Sequence, residues 1–126
     1  MTTAGEAEAF ARRWADEWNR RDVEAVLAHF EDGVVFSSPK ALETVGVATV
    51  RGVAGLRAYW HAALSQVTAL RFTLVRVIWD AGRKEAGIVY DREVNGRCDR
   101  AVEVLQFAPS GLVVRGEVFY GVHPDG

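Results

Sequence analysis

Few residues of this chain are of a type that could do chemistry. In "AVEVLQF" a single carboxyl, Glu103, stands in an apolar, β-prone run, and the β-rich run before it, "KEAGIVYDREV", carries Tyr90 and Arg92. A carboxyl buried without a partner shifts toward its neutral form and can serve as an acid or hydrogen-bond donor. If Arg92 reaches it across the hairpin, it stays ionised as half of an ion pair. A third possibility is that Glu103 faces solvent. In "VVFSSP" Ser38 precedes Pro39, but a serine hydroxyl without an activating neighbour does not abstract a proton from carbon as a carboxylate does. Trp14 and Trp18 lie one helical turn apart and Trp60 follows later, so bulky apolar surface accompanies these few polar groups.

The other candidates point elsewhere. His29, His61 and His123 show no close helical or strand pairing, so no metal site is expected. Cys98 is the sole cysteine, which excludes an internal disulfide and a cysteine-based metal site. There is no G-x-S-x-G elbow and no phosphate-binding glycine loop. Chemistry here, if any, is expected to need no cofactor.

The elements that must position these groups follow from periodicity. Phe10, Trp14 and Trp18 form one apolar stripe on a helix from Glu6 to Asn19. Asp22 is a natural N-cap for a second helix with Val23, Val26, Leu27 and Phe30 on its buried side. Asp32-Gly33 predicts a turn, "VVFSSP" a short strand ended by Pro39, and residues 40 to 52 a loop. Leu56, Trp60, Ala63, Leu64 and Val67 predict a third helix. Four β-rich segments follow, separated by "AGRK", "NG" and "APSG", which reads as an antiparallel meander. The expected class is α+β, with three helices packed on one face of a curved, mainly antiparallel sheet.

Composition sets the frame. The 126 residues make one domain, 49% hydrophobic and 25% charged, as in ordinary globular proteins. A net charge of -2 gives no footprint for nucleic acid. No apolar run approaches the ~20 residues of a membrane span, and "MTTAGEAEAF" lacks a secretory pattern, so a cytoplasmic location is expected. Arginine outnumbers lysine in the way a GC-rich bacterial genome favours.

An aromatic residue in the first helix, "WNRRD" at the helix–helix turn, a strand ending in Ser-Pro and a final "GLVV" hairpin together resemble the SnoaL-like branch of the nuclear-transport-factor-two-like superfamily. The likeness spans about Phe10 to Tyr120 and implies a cone-shaped α+β barrel with an interior pocket. Ketosteroid isomerases of this fold use a base aspartate before a proline, a tyrosine of the first helix and a protonated aspartate. The matching positions here are Ser38, Trp14 and Glu103, which argues against that isomerase. Limonene epoxide hydrolases carry Arg-x-Asp where this chain has Arg92-Glu93-Val94.

Strand alternation gives two phases for the interior. Either Ala101, Glu103, Leu105 and Phe107 share the inner face, or Val102, Val104 and Gln106 do. The resemblance selects the first, with Ile88, Tyr90 and Arg92 inward on the preceding strand and Val114, Gly116, Val118 and Tyr120 on the last. Gly116 is then expected to leave space. The implied pocket has Trp14, Trp18, Phe36, Trp60, Tyr90, Leu105 and Tyr120 as walls and Ser38, Arg92 and Glu103 as polar groups. The expected partner is a small, largely apolar or aromatic molecule, converted with Glu103 as acid or base. The alternative is a non-catalytic binding domain in which Arg92 and Glu103 pair. Val89, Val102, Val104 and Phe119 make the outer sheet face too apolar for solvent, so a homodimer through that face is expected.

Overall fold

The structure, a computed structural model, describes residues 1–126. Helix α1 (Ala4–Asn19) begins before its apolar stripe because Thr3 and Glu6 form a capping box, Glu6 N donating to Thr3 Oγ1 and Thr3 N to Glu6 Oε1, each at 3.1 Å. These bonds satisfy N–H groups that the first turn would otherwise leave free. Phe10, Trp14 and Trp18 are all buried along it. Helix α2 (Val23–Leu27) is capped by Asp22, whose Oδ1 accepts from Ala25 N at 3.1 Å.

Three local expectations are corrected. Phe30 is buried, but as the first residue of strand β1 (Phe30–Ser37) rather than on a helix. Asp32-Gly33 does not turn the chain. It lies within β1, where the register shifts between Phe30 and Val35, so the strand accommodates it as an irregularity. The stretch expected as a loop forms helix α3 (Pro39–Val45) and strand β2 (Thr49–Arg51). Ser38 caps α3, its Oγ accepting from Lys40 N at 3.2 Å, and Pro39 occupies the first turn, where its missing N–H costs nothing. Gly46 ends the helix with a left-handed φ of 82°. The protein therefore has four helices, not three.

Helix α4 (Gly52–Leu64) leads into the meander β3 (Leu70–Asp80), β4 (Glu85–Val94), β5 (Arg97–Phe107) and β6 (Val113–Tyr120). Asn95 and Gly96 take φ of 52° and 81°, as a tight hairpin with matching twist requires. Strand order is β2-β1-β6-β5-β4-β3, with β1 parallel to β6 and all other neighbours antiparallel. The six-stranded sheet is open. Helix α1 packs on β3 and α4 on β1, giving an α+β cone.

Ala101, Glu103, Leu105 and Phe107 are buried while Val102, Val104 and Gln106 are only half-buried, so the first of the two phases is the one adopted. Ile88, Tyr90 and Arg92 are buried on β4. On β6 the expectation of an inward Val114 is corrected. Gln106 faces Arg115 but Phe107 faces Val113, so Val114 is the extra residue of a bulge and Val113 takes the core position.

The space at Gly116 is not empty. A Cβ there would meet Phe36 Cδ2 at 2.6 Å, Phe36 Cε2 at 2.9 Å and Leu105 Cδ2 at 3.1 Å. The Phe36 ring fills it, itself held edge-on against Phe30 and Trp60 at centroid distances of 6.4 and 5.6 Å. Replacing a strand glycine normally helps by reducing the freedom of the unfolded chain. Here the clash reverses the sign, and Gly116→Ala should lower stability by roughly 1–3 kcal/mol, as overpacked cores do. Urea unfolding reads this directly, and an unchanged midpoint would mean that Phe36 is free to move.

Candidate active site

The concave face of the sheet and helices α1, α3 and α4 line a cavity of ≈ 280 Å³ that opens to solvent. Of its 20 lining residues 13 are hydrophobic, so its polar groups stand out against an apolar wall. Trp18 and Trp60 meet edge to face at 5.0 Å and form one side. Phe72, stacked against Trp14 at 5.7 Å, forms another.

Of the residues singled out in the sequence, Trp18, Phe36, Trp60, Tyr90, Arg92, Glu103 and Tyr120 line this cavity. Trp14, Ser38, Leu105 and Gly116 do not. Trp14 is fully buried behind Phe72 and Tyr90, Leu105 is core, and Gly116 lies under Phe36. Ser38 is buried and is linked to the cavity through Tyr59, whose hydroxyl donates to Ser38 Oγ at 3.2 Å. Trp18 and Tyr59 line the cavity, where the sequence pointed to Trp14 and Ser38. Tyr59 was absent from the predicted stripe of α4, although it stands three residues after Leu56 and four before Ala63, the spacing of that same face. Lys40 and Phe72 also line the cavity and carried no recognisable signal.

Glu103 is 5% exposed, and burial raises its carboxyl pKa from 4.5 to about 8. Three groups oppose that rise: the Tyr90 hydroxyl, which donates to Glu103 Oε1 at 3.4 Å, the Arg92 charge, and the Trp14 indole. Trp14 Nε1 is buried and completes no hydrogen bond, yet it lies near enough to the carboxyl to favour ionisation. Desolvation outweighs all three, so Glu103 is a neutral carboxylic acid at pH 7. Burial, then the adjacent Glu103, also raises the Tyr90 pKa well above its ordinary value, and burial raises those of Tyr59 and Tyr120. All three phenols remain protonated.

Arg92 does not pair with Glu103. In the β4–β5 ladder Arg92 faces Asp99 and Glu103 faces Ile88. Arg92 Nη1 accordingly donates to both Asp99 oxygens, at 3.1 and 3.0 Å, and the guanidinium lies 4.6 Å from the centre of the Tyr120 ring. No three His, Cys, Asp or Glu side chains come together as a metal-ligating group. No helix is long and apolar enough to cross a membrane.

Residues 11–117 match the family described as the SnoaL-like domain. The chain belongs to this family. A SnoaL-like protein of unknown function from Burkholderia thailandensis E264 superposes with a TM-score of 0.84 at 31% identity, over 95% of this chain and 98% of that one. The SnoaL-like chain also shares its fold with SalBIII, an epoxide hydrolase/cyclase-like enzyme in pyran ring formation in the polyether salinomycin (TM-score 0.75, 18% identity, 96% and 95% covered). TerC, crystallised with polyporic acid, is similar in fold to the same degree (TM-score 0.75, 18% identity, 91% and 92% covered). No curated protein matches the sequence.

The raised pKa of Glu103 makes stability depend on pH with a definite sign. Between about 4.5 and about 8 the folded protein holds a proton that the unfolded chain has released, so this group's contribution falls as pH rises through that window. Glu103→Gln keeps the shape and removes the titration. Urea unfolding of both proteins should show similar stabilities at pH 5 and a gain for the variant at pH 9 on the order of a few kcal/mol. Equal stabilities at both values would mean that the carboxyl is ionised throughout.

Proposed function

We propose that this SnoaL-like protein binds a small, largely apolar or aromatic metabolite and converts it, without a cofactor, using Glu103 as the acid. One observation carries the reading: a neutral carboxylic acid in the wall of a mostly apolar cavity. Such clefts, apolar with a few convergent polar groups, are the usual form of small-ligand sites. The non-catalytic alternative rested on an Arg92–Glu103 pair, and Arg92 is instead engaged by Asp99.

The class of reaction follows from what the cavity offers. No carboxylate stands at Ser38 to remove a proton from carbon, whereas Glu103 can donate one to oxygen. Reactions that open with protonation of a carbonyl, hydroxyl or ether oxygen suit it best, namely cyclisation, dehydration or ring opening. The role of SalBIII in pyran ring formation supports that direction by analogy of fold, and the polyporic acid crystallised with TerC supports a small-molecule ligand.

Ligand entry should register in Trp18 and Trp60. Titration with 2-naphthol is expected to quench or shift their emission, and Trp60→Phe to remove most of the response; an unchanged spectrum would remove the pocket from consideration. On any compound that is turned over, Glu103→Gln should lower kcat by roughly 10²–10⁴, the usual worth of a general acid, with little change in affinity. Unchanged turnover would remove Glu103 from the role of acid.

The outer sheet face supports self-association. Phe119 is 51% exposed and Ile78 57%, and Phe119, Val102 and Val89 stand in one cross-strand row, although Val89 is itself covered in the single chain. Arg76 lies at one end of this apolar band and Glu117 borders the other, so a two-fold related copy can set opposite charges against each other. Light scattering at micromolar concentration should give twice the monomer mass, and Val102→Arg the monomer mass. A monomer before substitution would rule the assembly out.

A further inference from the structure

Three polar groups of the cavity wall, Glu103, Arg92 and Lys40, keep donors that no protein group uses. Tyr90 spends its hydrogen on Glu103 Oε1, which leaves the acid's own O–H free. Arg92 uses only Nη1 on Asp99, and its other N–H groups make no hydrogen bond within the protein. Lys40 Nζ makes none either. It lies 4.9 Å from the centre of the Tyr120 ring, against which Arg92 also rests, and no carboxylate comes within 4.0 Å of it. The acceptors around the lining are spent or peripheral. Asn95 Oδ1 already accepts from Thr68 N, Thr68 Oγ1 and Ala69 N, and Glu43, Thr44 and Gln66 are exposed.

An apolar ligand with no acceptor oxygens would leave these donors desolvated and unpaired, which costs free energy at each one. A ligand bringing its own acceptors, one of them ionised, would satisfy them. Size narrows the class further. A cavity of roughly 150 Å³ admits benzene, and this one measures ≈ 280 Å³, close to what two fused rings require.

We infer that the ligand is an anionic aromatic oxyacid, a ring carboxylate or acidic hydroxy-ring compound of about two fused rings, whose ionised oxygen is held by Lys40 beside Tyr120 while a second oxygen faces Glu103. Lys40 is then the residue that selects acids over neutral analogues. The inference rests on the ligand cavity proposed above and gives its charge.

The test pairs 2-naphthoic acid with its methyl ester at pH 7, read by quenching of Trp18 and Trp60. The acid should bind at least tenfold more tightly than the ester, and Lys40→Met should remove that preference while Lys40→Arg restores most of it. A gain of this size is what one charge-assisted hydrogen bond supplies. Raising the salt should weaken the acid and not the ester. Equal binding of acid and ester, or a preference that survives Lys40→Met, would overturn the role of Lys40 and leave the cavity reading standing. Failure of both compounds to bind would overturn the cavity and the inference together.

Discussion

The register of the β4–β5 ladder decides which acid Arg92 meets and, through that, the protonation state of Glu103. Because Arg92 stands opposite Asp99 and Glu103 opposite Ile88, the buried cation and the buried acid are held apart on their strands. A slip that set Arg92 against Glu103 would pair the two and keep the carboxyl ionised. As folded, the guanidinium is neutralised by a carboxylate that is 36% exposed in its side chain, and Glu103 is left with a phenol as its hydrogen-bonding neighbour. The tight Asn95-Gly96 turn fixes that register, since a two-residue hairpin allows only one pairing of the residues that flank it. The protonation state of a group deep in the core is therefore set by backbone geometry at the sheet's end.

The cavity, in turn, persists because its walls are braced by one another. Trp18, Trp60, Phe36 and Phe30 form a chain of edge-to-face contacts at 5.0 to 6.4 Å, each worth ~0.5–1.5 kcal/mol beyond the area it buries. Trp14, Phe72 and Tyr90 brace the other side. Rings held against one another in this way cannot collapse into the space between them without losing these contacts. Gly116 belongs to this bracing, since its missing side chain admits the Phe36 ring that supports Trp60.

Much of this was legible in the sequence, and the failures have physical causes. The meander, its inner phase and the NG hairpin followed from alternation and turn chemistry, with the phase chosen by resemblance because Val102, Val104 and Gln106 are nearly as apolar as the inner set. Helix α3 was missed although Ser38, Pro39 and Gly46 are an N-cap, a first-turn proline and a left-handed terminator. Pro39 was read as ending a strand, which it does, and not also as opening a helix. On β6 only Val114 was misplaced, with Gly116 and Val118 inward as expected, because a bulge leaves no mark in an apolar run. Trp14 was assigned to the pocket on its position in α1, but Phe72 stacks between it and the cavity, and no local pattern reports which of two aromatic layers faces inward. The Arg92–Asp99 pair was hidden for a similar reason, since only the register tells which acid on β5 an arginine on β4 will meet.

An acid kept neutral by desolvation is costly to the fold, and the cost shows where the protein's remaining polar groups have gone. Tyr90 hydrogen-bonds the acid, the Trp14 N–H is left without a full partner, and Arg92 is drawn off to Asp99. Replacing Glu103 by an apolar residue of similar volume would relieve this, as it does for many buried ionisable groups. Retaining a proton on the carboxyl near neutrality, at a pKa of about 8, makes the group a competent donor at the pH where its partner oxygen is a weak base. Stability is given up at a carboxyl in the cavity wall, the group that the proposed reaction needs in its protonated form. That cost is the one the proposed proton donation would require of the fold.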